Sequence, residues 1–138
     1  MGGSVWRYDV PFERDIRVAL RALRDRVFRA GQYLAPTGAR KPTSIEDLLE
    51  MSGEIGTHSI LDIVDVAPQP RAGFVSPLSD AELIDAFGSE RPARADVERA
   101  LARIDAITLQ RGRWTGSYVV LYDRDLPSEI LFFGYSGD

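Results

Sequence analysis

The sequence lacks most of the residues on which thiol and metal chemistry depends. It contains no cysteine and a single histidine, His58, among 138 residues. The absence of cysteine excludes disulfides, thiolate catalysis and iron–sulfur clusters. One histidine does not supply the several imidazoles of a histidine-ligated metal centre. We therefore expect no histidine-ligated metal site. Neither a Gly-x-Gly-x-x-Gly nor a Walker A sequence occurs, and we expect no cofactor.

The sequence also lacks a long apolar run. No stretch approaches the roughly 18 residues that span a bilayer, and residues 1–6 lack the basic and apolar regions of a secretory signal. We therefore expect a cytoplasmic protein with no membrane partner. The length and the hydrophobic content of 44% predict one globular domain over residues 1–138.

Positive charge is concentrated in one part of the chain. Residues 1–45 carry nine basic and four acidic groups, residues 46–90 carry one and ten, and residues 91–138 carry seven of each. The formal net charge of −4 argues against general nucleic-acid binding, which requires a basic surface. Separated charges of this size steer association and select partners.

Hydrophobic periodicity predicts eight elements in the order βααβααββ. Apolar residues alternate over 4–12 and recur at helical spacing over 14–30. The remaining predicted elements are a short helix from the Thr43–Glu46 capping box, a strand at 58–67, helices at 79–87 and 95–109, and strands at 118–122 and 130–133. This order indicates an α+β fold with a four-stranded mixed or antiparallel sheet and helices on one face. If the other face were open, its aromatic side chains would predict a homodimer.

A row of arginines is the clearest candidate binding surface. Arg14, Arg17, Arg21 and Arg24 follow one another at steps of three, four and three, which places them beside the apolar stripe of the first helix. Guanidinium groups bind carboxylates and phosphates through paired hydrogen bonds. An exposed row would therefore bind a phosphate or an acidic protein surface.

The predicted strand 58–67 carries the other candidate binding residues. Asp62 and Asp65 have odd separation and point to opposite faces of a strand. The inward one needs a partner, and an arginine of the first helix is the natural one, in which case the row is neutralised within its own chain. His58 is either a general base or a histidine bonded to a loop carbonyl. In a strand it lies about 13 Å from Asp62, too far for a direct pair.

The linker between the last two strands carries acidic residues but no metal motif. Asp123, Asp125 and Glu129 cluster there without the spacing or the glycine of a calcium loop, which indicates solvated turn residues. The linker 123–128 is longer than a two-residue turn, so turn type does not set the register of the hairpin.

Two sequence runs resemble a group of small uncharacterised actinobacterial proteins. These runs are Gly56-Thr57-His58-Ser59-Ile60-Leu61-Asp62 and the ending Phe133-Gly134-Tyr135-Ser136-Gly137-Asp138. The resemblance covers nearly the whole chain and implies a bacterial cytosolic domain. It implies no activity, cofactor or site.

We expect this protein to act by protein–protein recognition without catalysis, as an immunity-type or regulatory partner. The acidic segment 46–90 would suit a basic partner such as a nuclease. The alternative is an enzyme or small-ligand binder in which the arginine row holds an anionic substrate and His58 or Asp62 moves a proton. Nucleic-acid binding through the basic first helix is the weakest of the three interpretations because the whole chain is acidic.

Overall fold

A computed structural model describes residues 4–137, so Met1–Gly3 and Asp138, the last residue of the ending noted above, lie outside the described residues. The fold is α+β, with four helices and a mixed sheet of five strands. In chain order the elements are β1 (Val5–Pro11), α1 (Ile16–Ala30), α2 (Ile45–Ser52), β2 (Asp65–Val66), β3 (Phe74–Pro77), α3 (Asp80–Phe87), α4 (Arg94–Arg111), β4 (Gly116–Asp123) and β5 (Leu126–Tyr135). No helix within residues 4–137 is both long enough and apolar enough to cross a membrane.

The helices begin and end at residues that stabilise helix termini. Asp15 accepts a hydrogen bond from the N–H of Arg17 at the start of α1, and Gly31 ends that helix with a φ of 68°. Ser79 and Glu82 form a reciprocal capping box at the start of α3. The predicted helices are therefore confirmed to within about two residues.

The sheet has the strand order β1-β5-β4-β3-β2. β5 is antiparallel to both of its neighbours, whereas β4, β3 and β2 pair in parallel. The prediction of four strands is wrong. β3 lies in a proline- and glycine-containing segment that we expected to be a loop, and the predicted strand 58–67 contributes only β2.

Helices cover both faces of the sheet, so the prediction of helices on one face is also wrong. α1 and α2 pack on one face, against a core that includes Ile130 and Phe132. α3 and α4 pack on the other, against Leu131 and Phe133. Because consecutive residues of β5 are buried on opposite faces, the run is continuously apolar and does not alternate. Since neither face is open, the basis for a homodimer through a sheet face is removed.

The hairpin of β4 and β5 closes with a tighter turn than the sequence suggested. Asp123 pairs with Leu126, which leaves Arg124 and Asp125 as a two-residue connection. Both have positive φ, 52° and 65°, as the twist of a tight hairpin requires. Leu126–Ser128 therefore belong to the strand and not to the linker.

Candidate functional site

The four arginines of the predicted row do not share one environment. Arg17 donates through Nε to Oδ1 of Asp65 at 2.9 Å, and Arg24 donates through Nη2 to the carbonyl of Leu61 at 3.3 Å. Arg14 and Arg21 are exposed and form no hydrogen bond or ion pair within residues 4–137. The row is thus only partly neutralised by its own chain.

The ion pair of Arg17 and Asp65 lies at the surface. About half of each side chain is exposed, at 53% and 48%. The pKa of Asp65 is lowered, first by the hydrogen bond from the Val66 N–H and then by Arg17. The expected bond between α1 and an aspartate of segment 58–67 therefore exists, but it involves the exposed aspartate and not the buried one.

Arg24 is the member of the row that lies partly inside the protein. Burial lowers the pKa of its guanidinium, and the charges of Glu46, Asp25 and Asp62 oppose that shift. Glu46 belongs to α2, so this helix approaches α1 on the same side of the sheet. The Nε atom of Arg24 is buried without a hydrogen-bond partner in residues 4–137.

Asp62 lies in a turn and not in the strand we predicted. Residues Ile60–Asp62 form one turn of 3-10 helix, which begins at Ser59. The Asp62 side chain is buried, and its Oδ1 accepts hydrogen bonds from the N–H of Thr57 at 2.7 Å and from the Thr57 hydroxyl at 2.9 Å. Oδ2 is buried without a hydrogen-bond partner in the described residues. Burial raises the pKa of this carboxyl, and the bonds from Thr57 only partly offset the effect.

The same turn brings His58 close to Asp62, contrary to the distance expected for a strand. The charge of His58 acts on the Asp62 carboxyl strongly enough to affect its pKa. His58 has a φ of 54° and Trp114 a φ of 68°, which are uncommon backbone conformations for residues other than glycine. A Cβ atom on Gly56 would lie 2.7 Å from Cη2 of Trp114 and 3.1 Å from Oδ2 of Asp62. The indole ring therefore packs tightly over this turn and leaves little space beside the carboxylate.

A second polar cluster, which the sequence did not reveal, surrounds Arg111 at the end of α4. Only 6% of its side chain is exposed. Its Nη atoms donate to Ser76, Ser117, the carbonyl of Pro77 and Oε1 of Glu82, at 2.7 to 3.3 Å. Burial raises the pKa of Glu82, but the hydrogen bonds from Arg111 and Ser79 and the charge of Arg111 together outweigh it, and the net shift is downward.

The Arg111 cluster lines an open cleft of about 640 Å³ beside the ends of β2 and β3. Its wall includes Pro68, Pro70, Gln69 and Gln110. The feature that could have indicated this cluster is the pairing of Ser76 with Ser117 on adjacent strands. Both are small polar residues in otherwise apolar positions. That pairing depends on β3, which the sequence pattern did not predict.

The predicted acidic cluster near the hairpin turn separates in the structure. Glu129 lies on β5 and binds Arg94 of α4, while Asp123 and Asp125 are exposed at the turn. No group of three or more acidic or histidine side chains within residues 4–137 is arranged to hold a metal ion.

Comparisons with known proteins identify no relative. No protein-family model, no curated protein and no solved structure matches this chain.

Proposed function

We propose that this protein binds another protein through the surface formed by α1 and α2, and that it acts by recognition and not by catalysis. The arginines of α1 support this proposal first. Arg14 and Arg21 present exposed guanidinium groups that form no hydrogen bond or ion pair within the described residues, although the charge of Arg21 acts on Asp65. Arg17 has only an exposed partner. Exposed pairs of this kind contribute little to folding stability, so they exchange readily for an intermolecular pair.

The acidic residues of α2 make the surface bipolar. Glu46 and Glu50 of α2, and Glu54 in the turn that follows it, are exposed at successive spacings of four. α1 and α2 contribute to the same core cluster, and Glu46 of α2 is close enough to Arg24 of α1 to affect the pKa of its guanidinium, so a basic helix and an acidic one lie on the same face of the molecule. This juxtaposition is the observation on which the proposal depends. A partner that carries an acidic patch opposite α1 and a basic patch opposite α2 would be oriented before contact.

The same arrangement favours a protein over a nucleic acid. A phosphate backbone is uniformly negative, so contact with α1 would bring phosphates close to the glutamates of α2. The net charge of −4 adds a long-range repulsion. A protein surface alternates in sign and avoids both costs.

We further propose that this protein is of the immunity type or a regulator. Such a protein inhibits or controls one specific partner by covering its surface. A basic protein such as a nuclease would dock on α2, with an acidic patch of its own against α1. The resemblance to small uncharacterised actinobacterial proteins is compatible with this role but names no partner.

The alternative is an enzyme or small-ligand binder that uses the arginine row with His58 and Asp62. Arg24, His58 and Asp62 do approach one another. However, Asp62 is only 7% exposed and already binds Thr57 twice, and Trp114 packs against the same turn. Arg14 and Arg21 remain on the solvent side of α1. The geometry therefore favours a structural role for Asp62 over proton transfer to a substrate.

The test is affinity capture from extracts of the source organism at low and high salt. The wild-type protein should retain a stoichiometric partner at low salt and release it at high salt, because the proposed contacts are electrostatic. The double variant Arg14→Glu/Arg21→Glu should lose that partner. The matched control is Arg71→Glu/Arg91→Glu, which makes the same change in net charge at two exposed arginines that stack on aromatic rings elsewhere.

Two results would contradict the proposal. One is that no protein is retained stoichiometrically by the wild type. The other is that the α1 double variant and the control retain the same partner equally well, which would place the binding surface elsewhere.

A further inference from the structure

Strand β1 forms an edge of the sheet with seven residues of backbone. It pairs with β5 on one side, and no strand within residues 4–137 pairs with its other side. The Ser136 N–H donates to the Ser4 carbonyl at 2.8 Å, and the Phe12 N–H donates to the Ser128 carbonyl at 3.1 Å. Since hydrogen bonding alternates along an antiparallel strand, the even-numbered residues from 4 to 12 face β5. The backbone groups of Val5, Arg7, Asp9 and Pro11 therefore face outward.

This edge carries little protection against pairing with another strand. Native proteins protect edges with very short strands, bulges, prolines or charges placed across the path of a new strand. The opposite edge, β2, has only two residues. β1 is longer and pairs with β5 in an unbroken register, and its one proline, Pro11, is its last residue.

The charged side chains of β1 lie on the α4 face of the sheet. Arg7 is 3.6 Å from Asp105, and Asp9 contacts Arg94, both on α4. On the α1 face, Trp6 and Tyr8 are adjacent, with ring centroids 5.8 Å apart. Beside them, a groove of about 220 Å³ between β1 and α1 is lined by Val10, Ala19, Ala22 and Leu23, among others. The edge thus presents one charge of each sign on one face. On the other face Tyr8 is partly exposed and Ala22 is exposed, beside the largely buried Trp6 and Val10.

We propose that two copies of this protein associate through antiparallel pairing of their β1 strands about a two-fold axis at Tyr8. In this register Arg7 of each copy lies opposite Asp9 of the other, so the dimer gains two cross-strand pairs of opposite charge. Neighbouring registers centred on Arg7 or on Asp9 place like charges opposite each other at the axis. Charge therefore selects a single register, as a closed, self-complementary interface requires.

The α1 face of the interface is complementary in the same register. The two Tyr8 rings meet at the axis, and Val10 of one copy lies opposite Trp6 of the other. Ala22, a small exposed residue, lines the groove beside β1 and leaves space next to the paired strands. The result is a continuous sheet of ten strands. This inference is independent of the proposed recognition surface, which lies on the outward side of α1 and α2.

The association is tested by analytical ultracentrifugation of the purified protein over a range of concentrations. The wild type should shift from monomer to dimer as concentration rises. Arg7→Pro should be monomeric with an unchanged circular dichroism spectrum, because the N–H of residue 7 faces outward and its loss removes no bond between β1 and β5. Arg7→Ala keeps that N–H and should weaken the dimer less than Arg7→Pro does.

Charge exchange tests the register. Arg7→Asp and Asp9→Arg should each raise the dissociation constant by about tenfold or more, because each places like charges opposite at two positions. The double variant Arg7→Asp/Asp9→Arg should restore dimerisation, although it repairs neither intrachain contact with α4. A wild type that stays monomeric at every concentration overturns the proposal, as does a dimer that persists in Arg7→Pro. If the double variant is folded but remains monomeric, the proposed register is wrong.

Discussion

At the residue scale, Asp62 and Asp65 show how position decides what a carboxylate does. They are three residues apart, yet Asp62 is buried under Trp114 and Asp65 is at the surface beside Arg17. Asp62 accepts both the N–H and the hydroxyl hydrogen of Thr57. Removing a buried acceptor leaves its donors without a partner, and this costs more than losing an exposed ion pair.

We therefore expect Asp62→Ala to lower the free energy of unfolding by about 2 kcal/mol, since it leaves the Thr57 donors unsatisfied. Asp65→Ala serves as the matched control and should produce a much smaller change. Urea denaturation followed by tryptophan fluorescence measures both, and Trp114 reports directly on this turn. Equal destabilisation by the two variants would show that the Thr57–Asp62 bonds do not hold the turn.

Asp9 gives a prediction about pH. Burial, together with the hydrogen bond to Glu129 and its charge, raises the pKa of Asp9 to about 6, although Arg94 acts in the opposite direction. An unfolded aspartate has a pKa of about 3.9. Folding therefore takes up a proton between these values, and stability should fall as the pH rises from about 4 to 6. Asp9→Asn should make this decrease smaller and leave the part due to Asp62, whose pKa burial also raises, as measured by urea denaturation across that range.

The control for this pH effect is Asp25→Asn, which changes an exposed aspartate on α1. It should keep the wild-type pH dependence. The neighbouring Glu129 does not confuse the result, because Arg94 lowers its pKa and confines its effect to more acidic conditions. Identical pH profiles for Asp9→Asn and the wild type would contradict the prediction.

At the scale of elements, Arg111 connects its own helix, α4, to three other elements. Its guanidinium joins the end of α4 to β3, β4 and the first turn of α3. Ser76 and Ser117 are nearly fully buried, at 0% and 2% exposed, and have this guanidinium as a donor.

Arg111→Ala should therefore lower the free energy of unfolding by about 2–4 kcal/mol, because it leaves buried acceptors without this donor and removes the ion-pair partner of Glu82. Thermal unfolding should show a decrease in Tm of roughly 4 °C per kcal/mol. Arg111→Lys should recover only part of the loss, since an ammonium does not span the same fork of acceptors. Arg103→Ala, which removes an exposed pair with Asp85, should change Tm little; a similar decrease there would contradict the assignment.

The helices were predictable because their signals are local. Caps such as Asp15, Ser44 and Ser79 and the end signals Gly31 and Gly88 lie within a few residues of the helices that they delimit. The strand predicted over 58–67 is shorter in the structure because two local signals compete there. Its β-branched residues favour a strand, but the bonds from Thr57 to Asp62 form a turn that competes with it.

At the scale of the whole molecule, the sequence predicted which segments carry opposite net charge. It did not predict which oppositely charged side chains come into contact. The arginine row was found from helical spacing, and the structure leaves Arg14 and Arg21 exposed as a candidate surface. Arg17 binds Asp65, and His58 lies close to Asp62, because residues 60–62 form a turn. Hydrophobic periodicity does not predict such a turn. The Arg111 cluster needs residues from four elements, so no local pattern indicates it.

The place of β5 has a consequence for how the chain is made. β5 lies between β1 and β4, yet it follows them both in the sequence, and Val5 pairs with Tyr135, 130 positions later. During synthesis, β1 therefore leaves the ribosome long before its neighbour exists. The two helical layers do not share a central strand until β5 is translated, so the sheet closes only after β5 has left the ribosome.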